Sequence, residues 1–260
     1  MQTTPLEGTQ KFRSDKDSSM MHGINHILNV GTPFSIFEPY VTAYHQQIDF
    51  IKFGWGSALV DPEFQLKKHL CEKLGVRPVL GGTFFEYMLH HHDFSTFLKH
   101  IKSFGLQAIE LSRGTIELEN AVYASYIRDL SSDFFVMSEV GRKSNDPSHA
   151  LDSRQWLEHC ELSVAAGADL VILESRESGR AGFVSAKGVV DSSLLDSIEA
   201  SIPLERLLFE APIKSVQTFL LKRYGPSVNL GNVSLTDVLA LQTLRMGLRS
   251  DTLLDGLPLF

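Results

Sequence analysis

Residues 134–143 read Phe-Phe-Val-Met-Ser-Glu-Val-Gly-Arg-Lys, a strand-length apolar run that closes on a carboxylate, a glycine and two cations. The run is nearly continuous, as expected of a parallel strand covered by helices on its outer side. The pattern recurs along the chain. Strand candidates are Ile24–Val30, Ile48–Phe53, Arg77–Leu80, Ala108–Leu111, Phe134–Val140, Asp169–Leu173, Arg206–Phe209 and Ser227–Leu230, eight in all. Between them lie helix-period segments. Phe94, Phe97, Leu98 and Ile101 fall at i, i+3, i+4 and i+7, and Trp156, Leu157, Cys160 and Val164 repeat a similar interval behind a capping Asp152 or Ser153. Glu63–Lys73 and Ser234–Leu248 read as further helices. Gly75, Gly105 and Gly167 each stand between a helix and a strand, where a left-handed glycine ends a helix.

Eight strand–helix repeats predict an α/β fold, a single (β/α)8 TIM barrel. An open doubly wound sheet competes, but GxGxxG after the first strand is absent. Residues 1–22 lack a sustained apolar period and read as an N-terminal arm, with 23–260 as one barrel domain. Composition bounds the rest. The 260 residues are 43% hydrophobic and 21% charged, so disorder is excluded; two cysteines, Cys71 and Cys160, do not make a disulfide scaffold. A net charge of -7 argues against nucleic acid or an anionic membrane as partner. No stretch is apolar enough to span a bilayer, and the polar start is unlike a signal peptide, so a cytoplasmic protein is expected.

Chemistry in a barrel collects where the strands end. There the sequence places Lys52, Glu86, Glu110, Arg113, Glu139, Lys143, Glu174, Arg176 and Glu210. Glu110, Glu139, Glu174 and Glu210 converging on one mouth would repel unless neutralised. A hard divalent cation such as Mg²⁺ is one solution, and Lys52, Lys143 and Arg176 are another. Structural ion pairs at the rim would give the same residue types. Gly81-Gly82-Thr83 and Asn229-Leu230-Gly231-Asn232 expose backbone N–H groups suited to phosphate, although turns use glycine equally. His90-His91-His92 point in different directions on a helix and do not share one ion; GxSxG and HExxH are absent.

As a set, the strings KFGWG (52–56), GGTFFE (81–86), EVGRK (139–143), ESRESG (174–179), FEAP (209–212), VNLGN (228–232) and LRMGLRSDTL (244–253) resemble the phosphosulfolactate synthases of coenzyme M biosynthesis, whose relatives include plant heat-stress-associated proteins. The resemblance implies a carbon–sulfur lyase/synthase that adds sulfite to phosphoenolpyruvate with Mg²⁺, giving (2R)-phospho-3-sulfolactate, and a homo-oligomer. The alternative is a non-synthase, stress-associated or partner-binding relative; a Schiff-base aldolase using Lys52 or Lys143 is a third reading. By the resemblance, Lys143, Lys52 and Glu139 are catalytic, with Lys143 the proton donor. Arg176, Ser178, Arg113, Asn229, Gly231 and Asn232 bind substrate, and Glu174, Glu210 and Glu110 hold the metal. Departures stand beside this. Asn29-Val30-Gly31 replaces Asp-Lys-Gly, Arg113 stands in place of aspartate, and Arg142 in place of a lysine. Arg142 is expected to lower the Lys143 pKa, and Arg113 to make the mouth more positive, favouring a more anionic or larger substrate.

Overall fold

The computed structural model describes residues 23–143, 150–176 and 178–254; the expected N-terminal arm lies outside the described residues. Eight parallel strands form one sheet in the order β3-β2-β1-β8-β7-β6-β5-β4: β1 (Asn25–Asn29), β2 (Phe50–Phe53), β3 (Arg77–Leu80), β4 (Ala108–Leu111), β5 (Phe135–Val140), β6 (Leu170–Leu173), β7 (Leu207–Glu210) and β8 (Leu230–Ser234). β3 and β4 lie side by side at the seam, so the sheet is a nearly closed barrel. The expected (β/α)8 architecture is the observed one.

The helices of the described residues wrap it: α1 (Phe34–Tyr44), α2 (Phe64–Lys73), α3 (Gly82–His91), α4 (Phe94–Phe104), α5 (Asn120–Ser131), α6 (Ser153–Ala165), α7 (Ser192–Glu199), α8 (Lys214–Tyr224) and α9 (Val238–Arg245). Local chemistry sets their ends. Asp152 caps α6 by accepting from the Gln155 backbone N–H, and Gln155 returns the bond in a capping box. Gly105 ends α4 at φ 68°, with Gly75 at 71° and Gly167 at 101°, the left-handed stops expected of them.

Alternation along each strand sorts the side chains into two cores. Outward residues such as Phe53, Leu111 and Phe209 pack against the helices, where Phe53 and Phe64 meet edge to face at 4.9 Å and Phe64 meets Phe104 at 5.3 Å. Inward residues Phe50, Val79, Ala108, Met137, Leu170, Ile172 and Leu208 form a separate apolar plug inside the barrel. Two residues further along the same strands, Phe50 gives way to Lys52, Ala108 to Glu110, Met137 to Glu139, Ile172 to Glu174 and Leu208 to Glu210. The same period that builds the plug therefore aims five charged side chains into the mouth above it.

One strand departs from its expected position. β8 begins at Leu230, not Ser227, and runs to Ser234. Its pairing with β1 slips between Asn25 and Ile27, and Asn232 within it has φ 53°. This bulge absorbs Gly231-Asn232 into the strand, although those residue types read as a turn.

Candidate active site

Lys52 sits at the centre of the mouth. Its Nζ lies 2.8 Å from Glu110 Oε1, 3.5 Å from Glu210 Oε1 and 3.9 Å from Glu139 Oε2, with all four side chains buried. Burial pulls the ammonium pKa down, but Glu110, Glu210 and Glu139 outweigh it and hold Lys52 above the ordinary lysine range. A Schiff-base aldolase needs a neutral amine, and the three carboxylates around the Lys52 ammonium disfavour that form.

Lys143 comes in from the loop after β5. Its Nζ donates to Glu86 Oε1 at 2.9 Å and Ser112 Oγ at 2.9 Å, lies 3.3 Å from Thr83 Oγ1, and pairs with Glu139 Oε1 at 3.2 Å. Gly114 makes room for it, since a Cβ there would stand 2.8 Å from Lys143 Cγ. Burial again opposes the charge, yet Glu139 and Glu86 raise the pKa above the usual lysine value. That overturns the expected lowering by Arg142. The Arg142 guanidinium turns away to Glu117 at 2.9 Å, and carboxylates are what Lys143 faces.

The carboxylates divide by their partners. Glu86 Oε1 accepts from Ser112 and Lys143, and Oε2 accepts from the Thr115 backbone N–H at 2.8 Å. Burial would raise its pKa, but Lys143 and these bonds bring it below the carboxylate norm. Glu210 Oε2 accepts from the backbone N–H groups of Ser175 and Arg176 at 2.9 and 2.8 Å. Burial still pushes Glu210 upward, and Glu139 likewise, despite their lysines. Glu174 is the least compensated. Burial, then Glu139 and Glu210, push its carboxyl up to about 9, and its buried Oε2 has no hydrogen-bond partner. Its place is reserved by Gly141, where a Cβ would sit 2.2 Å from that oxygen.

Glu110 Oε1 accepts from the Gly82 N–H at 2.6 Å, while buried Oε2 is unpartnered and lies 3.8 Å from His26 Nε2. His26 is itself buried with neither ring nitrogen bonded; burial and Lys52 lower its pKa well below 6.5, so the ring is neutral.

Of the residues expected at the site, the fold thus brings together Lys52, Glu110, Glu139, Lys143, Glu174 and Glu210. Arg176, at φ 60°, holds its Nε 3.9 Å from Glu174 Oε1 and borders them. Ser178 lies on the exposed turn beyond and accepts from the Arg180 N–H. The expectation for Asn229 fails. It precedes β8 at the opposite end of the barrel, where its amide donates to Leu207 O at 2.9 Å and accepts from the Ile24 N–H. Those bonds staple three strand beginnings and leave nothing for phosphate. Gly231 faces inward between Leu208 and His26, and Asn232 is buried with its Oδ1 unpartnered beside it.

Arg113 also leaves the ring. Alternation places Glu110 and Ser112 inward and Arg113 outward, where Nη1 donates to Asn120 Oδ1 at 2.7 Å and Leu118 O at 3.1 Å and the guanidinium stacks 4.6 Å over Tyr123. Its charge does not enter the mouth, so the expected shift toward a more anionic substrate has no basis in this arrangement. Glu86, Ser112, Thr83 and His26 were missed as site residues. Glu86 lies inside the quoted GGTFFE string, but on α3, not on a strand end.

The arrangement suits Mg²⁺ in part. Among the described residues no group of three or more His, Cys, Asp or Glu side chains is disposed around one ion. Glu174 Oε2 and Glu110 Oε2 are nevertheless buried carboxyl oxygens without donors, the chemistry of a hard-cation ligand that leaves other positions to water. Glu210, with both oxygens already engaged, fits that role less well.

Solved structures share the fold at low identity. A 3-hexulose-6-phosphate synthase from Salmonella typhimurium aligns with TM-score 0.54 and 13% identity over 85% of this chain and 97% of that one. A putative deoxyribose-phosphate aldolase from Coccidioides immitis aligns with TM-score 0.56 and 13% identity over 90% and 94%. Sequence relatives are more specific. Phosphosulfolactate synthase of Bacillus subtilis is 38% identical over 231 residues, 88% of this chain and 92% of that protein. That of Methanocaldococcus jannaschii is 35% identical over 234 residues, 88% and 93%. Protein HEAT-STRESS-ASSOCIATED 32 of Arabidopsis thaliana is 23% identical over 225 residues. The family model described as (2R)-phospho-3-sulfolactate synthase matches residues 13–251. With that match spanning the whole ring of Lys52, Glu86, Glu139, Lys143 and Glu174, the chain belongs to the (2R)-phospho-3-sulfolactate synthase family.

Proposed function

We propose that the chain is a phosphosulfolactate synthase, adding sulfite to phosphoenolpyruvate with Mg²⁺ to form (2R)-phospho-3-sulfolactate. The observation that carries this reading is the placing of two lysines, Lys52 and Lys143, inside one carboxylate-lined barrel mouth whose acids favour their charged form. Sulfite sulfur donates a lone pair to the methylene carbon of phosphoenolpyruvate, forming the C–S bond. The C=C electron pair moves into the carboxylate as an aci-anion. A proton then reaches the carbon bearing the phosphate, so bisulfite is added overall and no redox partner is needed.

Lys52 neutralises charge developing on the carboxylate, a role suited to an ammonium whose charged form its carboxylate neighbours favour. Lys143 donates the proton at carbon. Its raised pKa makes it a weak acid at rest, and the basicity of the aci-anion drives the transfer. Glu86, Ser112 and Thr83 fix the direction of its Nζ, and Glu139 links the two lysines. Mg²⁺, held by Glu174 with Glu110 in reach, would supply the positive charge that lets a trianion enter beside five carboxylates. Neutral His26 beneath Glu110 keeps the floor of the site uncharged. Phosphate is left to groups around the mouth other than Asn229; Arg176 is placed for it.

Incubation with phosphoenolpyruvate, sulfite and Mg²⁺, followed by mass detection, tests the reading. A sulfonated adduct is expected. Absence of adduct, together with no thermal shift on adding phosphoenolpyruvate, refutes it and leaves a partner-binding relative as the alternative.

A further inference from the structure

A second polar recess lies outside the barrel wall. It occupies about 240 Å³ over the outer side of the β4 and β5 ends, between the loop leading to α5, the first turn of α5 and the middle and last turns of α6. Arg113, Asn120, Tyr123, Arg142, His159 and Ser163 line it. Arg113 is only 8% exposed, and while Nη1 is bonded, its buried Nη2 has no hydrogen-bond partner. Leaving a guanidinium N–H buried and unpaired is costly, and an acceptor oxygen would relieve it. Arg142 reaches the same recess and holds Glu117 through both terminal nitrogens, at 2.9 and 3.1 Å; the Glu117 side chain is 84% exposed, and an entering anion displaces it into water.

Three glutamates, Glu117, Glu119 and Glu139, line the recess beside these cations. Glu117 and Glu119 are exposed, Glu158 is exposed and accepts from Asn120, and Glu139 turns its carboxylate to Lys143 and Lys52. Burial, then Arg113 and Arg142, push the His159 ring down to about 4, so both guanidinium charges act on the ring.

We propose that this recess is a binding site for a small tetrahedral oxyanion of the phosphate class, held by Arg113, Arg142 and the His159 ring, apart from the barrel interior. Two planar guanidinium forks and an imidazole suit the several oxygens of such a group. The volume holds free phosphate or the phosphate end of a three-carbon acid. The site shares the segment 139–143 with the mouth, since Glu139 faces one and Arg142 the other.

NMR of the imidazole C–H signals, with His159 assigned by its loss in His159→Gln, tests this without any need for turnover. The whole chain is titrated at pH 6.5 with sodium phosphate, with phosphoenolpyruvate, and with sodium chloride of matched ionic strength. The expected result is a His159 shift toward the protonated-ring position with phosphate or phosphoenolpyruvate and not with chloride. Tighter response to phosphoenolpyruvate identifies an organic phosphate as the ligand; an equal or tighter response to inorganic phosphate identifies the free ion. Affinity should fall at least tenfold in Arg113→Gln and Arg142→Gln and stay within twofold in Lys143→Ala. If Arg113→Gln fails to fold, the more exposed Arg142→Gln decides. A His159 signal no different from chloride overturns the proposal. So does a response lost in Lys143→Ala but kept in both arginine variants, which would place the anion in the barrel mouth. Because His159 binding and adduct formation are read separately, the synthase reading and this site fail independently.

Discussion

Replacing Glu174 by glutamine should stabilise the metal-free protein, and increasingly so as pH rises. Glu174 is 2% exposed, its Oε2 has no donor, and its carboxyl holds its proton up to about 9 against 4.5 for an ordinary glutamate. The sign follows from proton binding. Between those values the folded state keeps a proton that the unfolded chain has released, so stability is whole below about 4.5 and falls until the folded carboxyl ionises near 9. Each pH unit in that window is worth about 1.4 kcal/mol. The loss relative to an unperturbed carboxyl is then about 3 kcal/mol at pH 7 and about 6 kcal/mol at pH 9. Shared titration with Glu139 and Glu210 spreads part of it over three groups. Glutamine is the shape of the protonated acid and does not titrate. At roughly 2–4 °C per kcal/mol for a chain of this size, Glu174→Gln should melt about 6–12 °C higher at pH 7. Thermal melts in a chelator between pH 5 and 9 provide the assay. The gap should close near pH 5 and widen toward pH 9, and added Mg²⁺ should narrow it by stabilising only the natural chain. A variant no more stable at pH 9, or a gap independent of pH, refutes the account of Glu174 as an uncompensated acid.

Other perturbations separate the roles in the mouth. Lys143→Ala should lower turnover by about 10²–10⁴-fold with far-UV circular dichroism unchanged, and surviving turnover would remove Lys143 as the proton donor. Lys52→Met leaves Glu110 and Glu210 without a cation and Glu139 with Lys143 alone, and denaturant melts should show a loss of about 3–5 kcal/mol at neutral pH, partly recovered in acid. Gly231→Ala places a methyl 2.8 Å from Leu208 Cδ2 in the plug, which should cost about 1–3 kcal/mol in the same assay. Asn229→Ala should lower stability by breaking the staple between β7, β8 and β1 while leaving the KM for phosphoenolpyruvate unchanged, whereas a raised KM would return Asn229 to the phosphate site.

Most of the barrel was legible because a strand buried on both sides must be apolar throughout. Arg77–Leu80 and Ala108–Leu111 match the observed β3 and β4 to the residue, and α4 carries the expected Phe94, Phe97, Leu98 and Ile101. β8 was misplaced because a bulge hides inside it. Gly231 and Asn232 are turn residues by type, and only the pairing with β1 shows that the chain continues as strand. The error at Asn229 follows from that displacement. Arg113 was misread for a different reason. Nearness to a strand's end does not decide direction, and two-residue alternation sends Ser112 in and Arg113 out. Glu86 stands among the strand-end residues of the sequence but received no role, since its carboxylate arrives from a helix and only the fold shows that it meets Lys143. The charged mouth itself was readable, yet the sense of the Lys143 pKa was not. Sequence proximity suggested Arg142 as its neighbour, and the fold supplies Glu139 and Glu86 instead.

The most direct measurement follows carbon-13-labelled phosphoenolpyruvate by NMR with sulfite and Mg²⁺ in deuterated water. The account requires the methylene carbon to acquire the sulfonate and the phosphate-bearing carbon to acquire one deuterium in a single configuration, with Lys143→Ala inert. Unchanged phosphoenolpyruvate, or deuterium delivered without stereochemical preference, would contradict a synthase in which Lys143 protonates from a fixed position.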